Sequence, residues 1–75
     1  MTKQVLDRLM KTQDTIYNYI MILKGDYERA RGSKDANEAW RTEVSRKASG
    51  YLDALRDTAT ISEQERKALY CFITL

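Results

Sequence analysis

The chain has no histidine and no proline, one cysteine, three glycines, one tryptophan and one phenylalanine in 75 residues. Each scarcity excludes something. Without histidine there is no side chain that ordinarily changes charge near neutral pH, and the commonest acid–base group of enzymes is missing. The commonest ligand for zinc, copper and iron is missing with it. A lone Cys71 cannot close an internal disulfide or build a thiolate cluster. Between Tyr70 and Phe72 it reads as a small buried hydrophobe. Neither Gly25 nor Gly32 fits a phosphate-binding glycine motif, and no strand precedes either.

Long apolar runs are scarce as well. The longest, Ile16 to Leu23, contains two tyrosines and an asparagine, and falls short of the ~18 residues a membrane span requires. The first residues, Met1-Thr2-Lys3-Gln4, lack the plan of a secretory signal. The expected location is the cytoplasm, with no membrane partner. Charge of one sign is not in excess: 13 basic and 11 acidic side chains leave a net +2, mixed along the chain. Such a balance gives no long-range field to gather nucleic acid.

What is present reads as helix. Ala, Leu, Lys, Glu, Gln and Arg are frequent, and apolar residues recur at helical spacing. A first helix is predicted over about 2–31. Its seam is Leu6, Leu9, Ile16, Ile20, Leu23, Tyr27 and Ala30, with Gln13 in the one polar slot. Val5, Met10 and Tyr17 widen it. Gly25 suggests a bend or a close helix contact. Gly32 suits the left-handed position after a helix end, and Asp35 with Glu38 resembles a capping box. A second helix follows over about 36–58, with Trp40, Val44, Ala48, Tyr51, Leu52 and Leu55 on its apolar face. The small pair Ala48 and Gly50 would allow close approach. A second capping box, Ser62 with Glu65, opens a third helix over about 63–74. The expected fold is all-α: an antiparallel helical hairpin of two long helices with a short third, C-terminal helix, one domain over residues 1–75. Because so short a chain buries little core and has no staple, oligomerisation is expected, a dimer first.

Two features exceed what that fold needs. Tyr19, Met21 and Ile22 lie off the seam, with Ile22 opposite it at about 100° per residue. The chain also ends apolar, Tyr70-Cys71-Phe72-Ile73-Thr74-Leu75, where most termini are polar. This tail is expected to dock into the hairpin or on a partner. Carboxylate pairs, Glu63/Glu65 and Asp53/Asp57, are explained by capping and by a solvated face, so no catalytic set, metal or cofactor is predicted.

The function that follows is binding. We expect a small non-catalytic interaction module, a regulator, adaptor, chaperone or inhibitor, that occludes a larger protein through Tyr19, Met21, Ile22, Trp40 and Phe72. The second reading is nucleic-acid binding through basic residues near the hairpin tip, or an oligomer that binds a small anion. Lys24, Arg31, Lys34 and Arg41 would make those contacts. Against it, residues 24–47 also carry five carboxylates.

Overall fold

The computed structural model describes residues 1–32 and 38–75. The described residues form four α-helices and no strand. These are α1 (Thr2–Thr12), α2 (Asp14–Gly32), α3 (Glu38–Asp57) and α4 (Glu63–Ile73). The expected capping box at Asp35, the start of a helix near Ala36, and Lys34 lie outside the described residues.

The single first helix expected over 2–31 is two helices. Gln13 leaves the helical region, with φ −149° and ψ 67°. Its N–H closes α1 on the Leu9 carbonyl at 2.7 Å, and its own carbonyl accepts from Ile16 and Tyr17 to open α2. The local sequence Thr12-Gln13-Asp14-Thr15 favours this. Threonine and aspartate are weak helix formers, and the Thr12 hydroxyl bonds back to the Arg8 carbonyl at 2.7 Å. Asp14 then meets the positive end of α2. An unbroken helix of 30 residues would be about 45 Å long. The molecule is 37 Å in its longest dimension. The break instead lets α1 pack on both α2 and α4.

The end of α3 is a left-handed cap on an unexpected residue. Ala59, not a glycine, has φ 60°. Its N–H donates to the Arg56 carbonyl at 2.9 Å, and the Thr60 N–H donates to the Leu55 carbonyl at 2.9 Å. That is the paired hydrogen-bond pattern that closes many helices. Ile61, just beyond, is buried in the core with Leu55. Gly32, expected in that role for α2, is still helical and has no positive φ. Gly50 is exposed with nothing within 4 Å of an added Cβ, so it mediates no close approach. At Gly25 an added Cβ would meet only the Arg29 side chain, at 3.8 Å, and α2 continues through it.

The core joins all four helices through Val5, Leu9, Ile20, Leu23, Ala48, Leu52, Leu69 and Ile73. The Ser62–Glu65 capping box forms as expected: Glu65 N–H to Ser62 Oγ at 3.1 Å, Ser62 N–H to Glu65 Oε1 at 2.9 Å. It directs α4 so that Leu69 and Ile73, one turn apart, are fully buried. The tail therefore docks within the chain as far as Ile73, while Leu75 stays 68% exposed. Cys71, expected buried, is exposed. It lies two residues from each of Leu69 and Ile73 and so falls on the outer face of α4.

A candidate interaction face on the second and third helices

Neighbours along α2 are separated by about 100° around its axis, so inward Ile20 leaves Tyr19 and Met21 on opposite flanks and Ile22 outside. Tyr19, Met21 and Ile22 are all exposed, Ile22 by 54%. The seam thus explains why Ile20 is buried and Ile22 is not.

Tyr19 meets Tyr51 of α3 edge-on, with ring centroids 4.6 Å apart and planes inclined at 65°. This is a favourable aromatic geometry. Burial raises the Tyr51 hydroxyl above the ordinary phenol value, and the neighbouring Tyr19 adds to the rise. Ile22 lies three residues beyond Tyr19, on the same flank of α2. Trp40 lies eleven residues before Tyr51, about three turns, and therefore shares its flank of α3. Trp40 is also exposed. Tyr19, Ile22, Tyr51 and Trp40 thus lie along the outer flanks of the α2–α3 pair. Tyr51 is the member that sequence reasoning placed in the core, and it is half-buried.

The remaining two residues expected at the interface sit elsewhere. Met21 lies on the other flank of α2. Phe72 is half-buried, packed against the core, and covered by Lys24, whose Nζ is 4.3 Å from the ring centroid. Lys24 is about 160° from Ile22 around α2, so Phe72 does not join the Tyr19–Ile22 flank.

The expected anion contacts separate as well. Lys24 donates to the Phe72 carbonyl at 2.9 Å and pairs with Glu28 at 3.5 Å, so its charge is already engaged. Arg31 and Arg41 are exposed and, among the described residues, have no carboxylate partner. Arg46 is the third such arginine. The other four are paired: Arg8 with Glu65, Arg29 with Asp26, and Arg56 and Arg66 with Glu63 and Asp53.

Arg41 and Arg46 line a groove of about 460 Å³ along α3, bounded by Tyr27 of α2 and Tyr70 of α4. Ser45, Ser49, Thr42 and Glu38 complete its wall. Spacing on α3 could have suggested it, since Thr42, Ser45 and Ser49 follow one another at three and four residues. The contribution of Tyr27 and Tyr70 requires the packed helices.

Among the described residues no three of His, Cys, Asp and Glu gather as a metal site, and no helix is long and apolar enough to cross a membrane. The chain matches no protein-family model, no curated protein and no solved structure.

Proposed function

We propose that the protein is a small non-catalytic interaction module that binds a larger protein through the outer face of an α2–α3 hairpin, and regulates it by occlusion. The observation that carries this reading is Ile22. It is the most exposed large apolar residue within a helix interior, and it stands beside the Tyr19–Tyr51 ring pair. A branched aliphatic side chain next to aromatic rings is the composition of an interface centre rather than of an ordinary solvated face. Trp40 extends the same flank toward the start of α3, and Asp26 with Arg29 provides a charged rim one turn beyond Ile22. Partner residues that cover Ile22 would remove its apolar surface from water without disturbing the core behind Ile20.

The reading is tested with a photo-cross-linking amino acid at position 22, and a second at exposed position 67 on α4 as the control. Adducts are collected in extract of the source cell. A discrete adduct with one larger protein from position 22, absent from position 67 and lost from the competitor Ile22→Glu, is the expected result. Adducts only with further copies of the chain would make the face a homo-oligomer interface and overturn occlusion of another protein. No adduct at position 22 would overturn the reading altogether.

A further inference from the structure

The groove along α3 gathers polar groups that the fold leaves unused. Four of the seven arginines are spent on ion pairs, yet Arg41 and Arg46 both line this one groove and, among the described residues, have no carboxylate partner. The hydroxyls behave the same way. Thr12, Thr58 and Thr74, also on or beside helices, turn their hydroxyls back to carbonyls four residues earlier, at 2.7, 3.1 and 2.8 Å. Ser45 and Ser49 make no such bond, although each is half-buried within α3. Among the described residues the phenol groups of Tyr27 and Tyr70 likewise have no hydrogen-bond partner. Donors from three helices therefore converge on one concavity with their hydrogen bonds unmade.

We propose that this groove binds a nucleoside monophosphate unit, either free or within a single strand. Arginine forks match the oxygens of a phosphate, and serine and tyrosine hydroxyls supply further donors to it. Among the described residues that line the groove, two guanidiniums stand against the single carboxylate of Glu38, an excess of one positive charge. That excess favours an anionic phosphate ester over a neutral ligand. The rings of Tyr27 and Tyr70 pack against the core and also line the groove, where with the arginine planes they supply surface for a base. A groove of about 460 Å³ falls within the range of small-ligand sites. This inference is independent of the Tyr19–Ile22 face, whose α3 members, Trp40 and Tyr51, lie on the other flank of that helix.

The test is an NMR titration of the whole chain, following backbone amides, with adenosine 5′-monophosphate, adenosine, inorganic phosphate and a short oligoadenylate. The nucleotide is expected to give saturable shifts at residues 41–49, Tyr27 and Tyr70. Adenosine and phosphate alone should each bind about tenfold or more weakly, because each keeps only stacking or only the charged hydrogen bonds. The double variant Arg41→Gln, Arg46→Gln should weaken nucleotide binding about tenfold or more while its helical circular dichroism is unchanged. Tighter binding of oligoadenylate at the same residues would assign the unit to a strand; no gain over the monophosphate would assign it to the free nucleotide. Absence of saturable shifts with either nucleotide probe would overturn the proposal. So would shifts outside the groove, shifts indifferent to the double variant, or phosphate alone binding as tightly as the nucleotide.

Discussion

Arg8 and Glu65, 57 positions apart in sequence, form a two-point ion pair: Nη1 to Oε2 at 2.6 Å and Nη2 to Oε1 at 3.0 Å. The same carboxylate accepts the Ser62 N–H that opens α4, and Arg8 also donates to the Thr60 carbonyl at 3.3 Å. One arginine of α1 is thus tied to both the end of the α3–α4 turn and the cap of α4. Arg8 is nearly half exposed, so solvent screens the pair. In a double-mutant cycle of Arg8→Ala and Glu65→Gln by urea denaturation, the expected coupling is about 0.5–1 kcal/mol. A coupling of zero would leave Val5 and Leu9 alone to hold α1.

Acid should weaken the protein through the same region. The Arg66 and Arg56 guanidiniums hold the Glu63 carboxyl down to about 2, and Arg8 holds Glu65 below its ordinary value. A carboxyl lowered in the folded state contributes stability that is fully present above its unfolded value, about 4.3. That contribution is lost as pH falls through the folded value. Melting temperature should therefore be flat from about pH 7 to 5 and fall between about pH 4 and 2. Arg8→Ala should reduce the part of that fall that belongs to Glu65, leaving what its hydrogen bonds with Ser62 contribute. A profile unchanged by the substitution would mean that Glu65 titrates normally.

Ile20 and Ile22 should respond in opposite ways. Ile20 is fully buried, and truncation to alanine should cost about 2–5 kcal/mol. Ile22→Glu should leave helicity and melting temperature nearly unchanged, since the side chain already meets water. Thermal melts of both variants decide the matter: unfolding by Ile22→Glu would show that residue to be part of the core.

Two backbone positions should tolerate gains. Ala59 carries a side chain at φ 60°, where glycine is unstrained. Ala59→Gly should stabilise by about 1 kcal/mol. Gly50 lies on the exposed face of α3 with open space around it, and Gly50→Ala should stabilise by about 0.5–1 kcal/mol. Urea midpoints would check both, and destabilisation by either would contradict the local backbone described above.

The C-terminus divides sharply. Removal of residues 74–75 should change the melting temperature little, because Leu75 is largely exposed. Removal of residues 70–75 takes away fully buried Ile73 and the Phe72 ring under Lys24, and should lower it by several degrees. Equal melting temperatures for the two truncations would place Ile73 outside the core.

Local chemistry was legible without the fold. Apolar spacing marked Ile20, Leu23 and Leu52 as inward and Ile22 as outward, because helical angle depends only on position. The Ser62–Glu65 box was legible because both partners lie within one turn. The break at Gln13 was not. The seam runs through it in register, and the only signal was the helix-poor Thr12-Gln13-Asp14-Thr15. The packing that accompanies the break is tertiary: α1 folds against α2 and α4, and Val5 and Leu9 are buried there. Cys71 followed the same logic, since α4 turns one stripe inward and its apolar neighbours in sequence say nothing of which.

Residue types and local spacing were enough for the helical class, the inward stripes of the second and third helices, the α4 cap and the absence of histidine. Each of these is set by residue type or by spacing within a few turns. Only the tertiary structure decided that Lys24 is occupied by Phe72 and Glu28, that Tyr51 supports Tyr19, and that Arg41 and Arg46 share a groove with Tyr27 and Tyr70. Those relationships join residues from different helices, and their distances follow from how the stripes pack rather than from where the residues fall along the chain.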